Sequence, residues 1–224
     1  KAIINLIKPS EAHLRNYNMH YEIQHPCIQD KLTEIRDKDT GYQKFRQLIS
    51  EITMLLSFSA LEGLSLTDVT VETPIKEANC KKINEEVIVV PILRAGLGML
   101  DGILSLIPSA RVGFLGMFRN EETAEPETYY ENIPEKSLSG LHLIIDPMLA
   151  TGGSTIAAID TLKDKGVKKI VVICIVTCPE GLSSVSSKHK DVKIYTASID
   201  SHLNDKMYIV PGLGDAGDRL FGTY

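Results

Sequence analysis

The sequence predicts an α/β fold around a mostly parallel sheet, and three observations lead there. Five short, mostly apolar runs recur along the chain: Val87 to Leu93, Ala110 to Met117, Leu141 to Asp146, Lys169 to Thr177 and Val192 to Ile199. Runs of this kind are strands covered on both faces. Helical segments fit between several of them, at about Gly98 to Leu106, Ser154 to Lys165 and Glu180 to His189. Strands alternating with helices make a parallel sheet flanked by helices. In such sheets ligands gather beyond the carboxyl ends of the strands, so functional residues are sought there.

The elements ahead of the first apolar strand are helical. Ile28 to Arg36 reads as a helix. A longer one is expected from about Tyr42 to Leu61, where Phe45, Leu48, Ile49, Ile52, Leu55 and Leu56 fall at three- and four-residue spacing and make one buried face. Residues 1–24 carry few signals and read as an N-terminal extension, which leaves 25–224 as a single domain. Phe118 to Ser137 is long, acidic and aromatic with two prolines, and reads as a protruding hairpin or a lid.

Charge and cysteine usage exclude several classes. The 224-residue chain has a formal net charge of −5 and no basic stripe, so nucleic acid is not an expected partner. An anionic ligand therefore needs local positive groups. No apolar run approaches the ~20 residues of a membrane span, and no signal-peptide pattern is present. None of Cys27, Cys80, Cys174 and Cys178 forms a C-x-x-C pair, which suits a reducing, cytoplasmic setting. Cys174 and Cys178 sit in or beside an apolar run and are expected to be buried, unreactive thiols.

The run IIDPMLATGGST, Ile144 to Thr155, ends a strand on an acid and opens a helix through glycines and hydroxyls. Gly152 and Gly153 let the backbone approach a ligand closely. The first N–H groups of the new helix then face one spot, where the helix dipole also favours negative charge. Thr151, Ser154 and Thr155 add hydroxyls. This makes a cradle for a phosphate monoester, and Asp146 suits the sugar hydroxyls of the same molecule. The same residues also fit an ordinary strand-to-helix turn with Ser154 as N-cap.

PILRAGLGM, Pro91 to Met99, repeats the arrangement with Arg94 ahead of Gly96 and Gly98. The guanidinium fork of Arg94 matches a pair of phosphate oxygens, although a surface arginine at a helix start is the plainer reading. Arg119 is a second candidate clamp on the same anion, or an exposed loop arginine paired with Glu121 or Glu122. Near the C-terminus, Gly212, Gly214 and Gly217 match G-x-G-x-x-G. A dinucleotide site is rejected there, because no βαβ unit and no later acid can follow so near the chain end. The glycines around Asp215 and Asp218 instead expose backbone that could pair with a planar base, or form only a glycine-rich turn. No P-loop, G-x-S-x-G or H-E-x-x-H is present.

The acid-to-TGGST run resembles the 5-phosphoribosyl-1-pyrophosphate (PRPP) motif of type I phosphoribosyltransferases. VVPILRAGLGMLDGI, FRNEETAEP, DPMLATGGS, YTASID and YIVPGLGDAGDRLFGT together resemble the uracil branch of that family, and the likeness runs from His25 to Tyr224. Many relatives carry two adjacent acids before the cradle. Here Pro147 holds the second position, as in the uracil branch.

The resemblance implies a type I phosphoribosyltransferase fold with a hairpin or lid and a small C-terminal hood over the base. It implies transfer of phosphoribosyl from PRPP to uracil, giving UMP and pyrophosphate. Arg94 and Arg119 would bind the pyrophosphate side and Asp146 the ribose hydroxyls. Pro147, Met148, Leu149, Ala150, Thr151, Gly152, Gly153 and Ser154 would line the phosphate end. The backbone of Ile209, Gly214, Asp215 and Ala216 would read uracil, with Asp215 also touching PRPP. Asp146, Asp215 and Arg94 would be the catalytic set. Magnesium would arrive with the pyrophosphate, held mainly by substrate and water. A homodimer or larger homo-oligomer is implied, and GTP is an effector of some relatives. A phosphoribosyltransferase-like RNA-binding regulator is the competing reading, and it calls for a basic face that this acidic chain does not advertise.

Overall fold

The computed structural model describes residues 14–17, 19–119 and 126–223. The chain opens with β1 (Leu14–Tyr17) and β2 (His20–Ile23), then α1 (Pro26–Arg36) and α2 (Tyr42–Ala60). A hairpin of β3 (Leu66–Glu72) and β4 (Glu77–Ile83) follows. Next come β5 (Val87–Leu93), α3 (Leu97–Leu106), β6 (Arg111–Val112), β7 (Phe114–Arg119) and β8 (Pro126–Asn132). The second half runs through β9 (Leu141–Ile145), β10 (Met148–Leu149), α4 (Gly153–Asp164), β11 (Lys169–Thr177), α5 (Pro179–Lys188) and β12 (Lys193–Ile199). It closes with β13 (His202–Leu203), β14 (Ile209–Val210) and α6 (Ala216–Phe221).

The main sheet has the order β1-β2-β12-β11-β9-β5-β7-β8. From β2 to β7 every neighbouring pair is parallel, and the outer pairs β1·β2 and β7·β8 are antiparallel. Side chains alternate across a strand, and that alternation splits the core into two layers. Val87, Val89, Leu143, Ile145, Val171 and Ile173 face Phe45, Leu48, Ile49 and Ile52 of α2 and Ile103 of α3. Their neighbours Ile88, Val90, Ile144, Val172 and Cys174 face Ile156, Ile159 and Leu162 of α4 and Leu182 and Val185 of α5. Helices α2 and α3 meet almost backbone to backbone, since a Cβ at Gly102 would strike the carbonyl of Ser50.

The predicted strands and helices are present, with boundaries moved by a residue or two. The run Ala110 to Met117 is interrupted at Gly113, whose N–H donates to Val89 O at 2.9 Å. The hairpin expected over Phe118 to Ser137 appears as the β7·β8 pairing; its connection lies outside the described residues.

Two features differ from the sequence reading. Leu14 to Tyr17 and His20 to Ile23, expected within the N-terminal extension, are both strands of the sheet, the second of them beside β12. Tyr21 stacks on Tyr195 with ring centroids 4.7 Å apart, and Glu22 and Ile23 are buried. Charged and polar residues interrupt this stretch, so no apolar run marks it. The β3·β4 hairpin was also not expected. It stands off the main sheet and is mostly exposed, so neither an apolar run nor a turn dipeptide announces it.

Candidate active site

Asp146 stands one residue beyond β9, at the carboxyl edge of the sheet. Its side chain is packed by the surrounding chain yet retains contact with solvent. Burial pushes its carboxyl up to about 7, and the N–H of Met148, donating to Oδ1 at 3.4 Å, opposes that shift. A carboxylate held this way gains from new hydrogen-bond donors, and ligand hydroxyls are such donors. The neighbouring Cys174 thiol is buried and pushed up to about 12 by burial, with the charge of Asp146 adding to the effect. Cys178 is buried too, and burial raises it as well. Both are buried, as expected.

The loop after Asp146 is fastened to β11. Pro147 O accepts from the N–H groups of Ile175 and Val176 at 3.0 and 3.1 Å. Met148 and Leu149 pair with Val176 and Thr177 as β10, and Thr177 Oγ1 donates to Leu149 O at 2.9 Å. A Cβ at Gly181 would strike Ala150 O, so α5 presses directly on the loop. Helix α4 then opens at Gly153, with Gly152 at φ +84° as its N-cap and no side-chain cap. The N-cap role open to Ser154 is therefore not taken: the helix starts one residue earlier, and Ser154 lies in its first turn. Thr151 Oγ1 reaches the Gly153 N–H only at 3.4 Å. The helix start is left for an outside acceptor, which is what a phosphate cradle requires.

Arg94 follows β5, the strand beside β9. The Leu93–Arg94 peptide is cis. A Cβ at Gly96 would lie 2.5 Å from Ile145 O and 2.7 Å from the backbone of Ile92. Only glycine lets this loop cross the end of β9 so closely, and that crossing brings the Arg94 loop beside the Asp146 strand end. The Arg94 side chain is 62% exposed and its Nη2 lies 3.7 Å from Asp218 Oδ1. The arginine loop and the C-terminal segment therefore meet. The side chain of Arg119, the second predicted clamp, lies outside the described residues, although its backbone ends β7.

The C-terminal segment folds tightly. Val210–Pro211 is cis, and Gly212 and Gly214 have φ of +62° and +76°. Ile209 is buried while Gly214 and Asp215 are exposed. Asp215 is the N-cap of α6, its Oδ1 accepting from the Asp218 N–H at 2.9 Å.

Arg36 and Asp200, which the sequence reading passed over, anchor this segment. Arg36 donates to Asp200 Oδ1 and Oδ2 at 2.6 and 2.8 Å. Burial alone would raise the Asp200 carboxyl, but the Arg36 fork, the Ser198 hydroxyl and the Gly212 N–H outweigh it and hold it below its ordinary value. Arg219 donates to Ile35 O at 2.9 Å and Leu213 O at 2.7 Å, and lies 4.3 Å over the Phe45 ring. Asp200 does carry the signal used for Asp146, an acid at the end of an apolar strand.

Comparison with known proteins settles the affiliation. The family model described as uracil phosphoribosyltransferase matches residues 22–223. The chain belongs to the uracil phosphoribosyltransferase family. A uracil phosphoribosyltransferase of Ligilactobacillus salivarius is 52% identical over 202 residues, 90% of this chain and 97% of that protein. One from Geobacillus kaustophilus is 52% identical over 204 residues, 91% and 98%. A solved structure of a protein from Aquifex aeolicus superposes with a TM-score of 0.86 at 41% identity, covering 90% of this chain and 97% of that one. Adenine phosphoribosyl transferase of Trypanosoma brucei, solved with AMP, pyrophosphate and ribose-5-phosphate, shares the fold at 10% identity and a TM-score of 0.58, covering 87% and 90%.

Proposed function

We propose that this chain transfers the 5-phosphoribosyl group of PRPP to N1 of uracil, releasing pyrophosphate and giving UMP. The observation that carries the reading is the meeting of three parts at one sheet edge: the uncapped start of α4, the Asp146 carboxyl and the Arg94 loop. Family membership supports it.

In this reading the 5-phosphate rests on the loop from Pro147 to Ser154, where backbone N–H groups and the helix dipole favour an anion. Asp146 accepts from the ribose hydroxyls and so fixes C1 of the sugar. Arg94, exposed and free to turn from Asp218, takes the pyrophosphate; Arg119 serves the same anion. Holding both substrates in line removes much of the entropic barrier, and donors aimed at the departing anion lower the rest. Backbone of Ile209 and of Gly214 to Ala216 reads the lactam edge of uracil, with Asp215 beside PRPP.

Among the described residues no group of three or more His, Cys, Asp or Glu is arranged for a metal. A magnesium ion would instead arrive on pyrophosphate and be held mainly by substrate oxygens and water, with the exposed Asp215 placed to meet its bound water. When bound, that ion would supply charge to the leaving group. The reading also includes a homo-oligomer, supported by exposed Leu66, Val71, Ile75 and Ile83 on the β3·β4 hairpin. It keeps GTP as an effector and the cytoplasm as the setting.

The test is direct. Purified protein is mixed with uracil, PRPP and magnesium, with and without GTP, and UMP and pyrophosphate are followed together. Equal formation of both is expected. Pyrophosphate without UMP, or neither product, overturns the proposal.

A further inference from the structure

The pair Arg36 and Asp200 encloses one glycine. The Asp200 side chain is 3% exposed and that of Arg36 23%. Gly212 donates its N–H to Asp200 Oδ2 at 2.9 Å, and its own carbonyl accepts from Arg36 Nη1 at 2.9 Å. Ser198 Oγ joins the two, donating to Asp200 Oδ1 at 2.7 Å and accepting from Arg36 Nη2 at 3.1 Å. Arg219 holds the next carbonyl, Leu213 O. Gly212 N–H, Gly212 C=O and Leu213 C=O are thus all fixed by charged or charge-assisted bonds, one residue before Gly214.

A buried ion pair adds little net stability compared with apolar residues of the same volume, because desolvation offsets the attraction. What it adds is direction: a guanidinium fork and a carboxylate accept only a narrow range of geometries. Gly212 and Gly214 both have positive φ, the flexible backbone in which base recognition would otherwise be loose.

We infer that Arg36 and Asp200 are positioning residues for uracil: by clamping both the N–H and the C=O of Gly212, they set the angle at which Gly214 to Ala216 meets the base. This rests on reading that segment as the uracil site. The pair touches neither reacting atom, and the phosphate cradle and the Arg94 loop are anchored elsewhere, on β11 and β9; of the proposed PRPP contacts only Asp215 lies in the clamped segment. Losing the clamp therefore weakens uracil more than PRPP.

Steady-state kinetics on Asp200→Asn and Ser198→Ala, with both substrates varied, provide the test. Asn keeps an acceptor for the Gly212 N–H but loses the charge that orients Arg36. Its KM for uracil should rise about tenfold or more while KM for PRPP stays within about twofold. Ser198→Ala keeps the ion pair and removes only the hydroxyl between its partners, so it stays folded even where the first variant does not. Its KM for uracil should rise about threefold with the PRPP value unmoved. A fall in kcat with both KM values unchanged, or equal rises in both, would reduce the pair to a structural role and overturn the inference. Wild-type protein that forms no UMP would bring down the uracil reading, and this inference with it; wild-type turnover with unsplit variants brings down this inference alone.

Discussion

Replacing Asp146 by Asn should stabilise the protein while disabling it. The Asp146 carboxyl is raised from 3.8 to about 7 by burial. At ~1.36 kcal/mol per pH unit, that shift penalises the folded state by about 4 kcal/mol above pH 7. The carboxyl keeps some contact with solvent, so half that, about 2 kcal/mol, is the working figure. The sign follows from the direction of the shift. A carboxyl raised on folding favours the folded state most below pH 3.8, and that advantage is lost as pH rises through 7. Asn carries no charge, so its lead over Asp grows from near zero in acid to about 1 kcal/mol at pH 5 and about 2 kcal/mol at pH 8. For a chain of this size that is an increase in Tm of ~4–8 °C at pH 8. Thermal denaturation of both proteins at pH 5 and pH 8 measures it. Activity moves the other way: losing charge-assisted bonds to ribose hydroxyls should lower kcat/KM for PRPP by roughly a hundredfold or more. A variant no more stable than wild type at pH 8, or whose lead shrinks as pH rises, would refute the argument that burial burdens this carboxylate.

Three other outcomes are expected. In the wild type, kcat/KM for PRPP should fall as pH drops below about 7, because protonated Asp146 accepts hydroxyls poorly; the pH profile of Asp146→Asn should lack that limb. Arg94→Ala should cost at least a hundredfold or so in kcat/KM for PRPP, yet shift unfolding free energy by less than ~0.5 kcal/mol, since its pair with Asp218 is exposed. Gly96→Ala should cost about 2 kcal/mol or more in a urea titration, because its methyl group meets immovable backbone at Ile145 and Ile92. It should lose PRPP activity as the Arg94 loop lifts away.

The elements that the sequence made legible are those buried on both sides. Lys169 to Thr177 reads as a strand because almost every residue of it is apolar and buried, and Phe45 to Leu56 reads as a helix because its buried face repeats with the helical period. Asp146 and the glycines after it were legible because a strand-to-helix turn has few ways to hold an anion. The Arg36–Asp200 bond joins residues 164 apart, and nothing local in either neighbourhood names the partner. The strand His20 to Ile23 pairs with β1 on one side and joins the main sheet through β12 on the other, where it stacks on Tyr195. Its own residues give no apolar run. Long-range pairing of polar groups leaves little trace in local periodicity, and that is where the reading fell short.

The two-layered core has a consequence for how damage would spread. Helix α3, which follows the Arg94 loop, belongs to the layer with α2, whereas α4, which begins the phosphate cradle, belongs to the layer with α5. The sheet separates the two layers. In the proposed reaction, PRPP spans the seam, its pyrophosphate over one layer and its 5-phosphate over the other. A cavity cut at Ile103 would thus loosen the leaving-group end of the substrate, and one cut at Ile159 the opposite end. In that reaction the substrate would act as a cross-brace between two layers that the sheet separates.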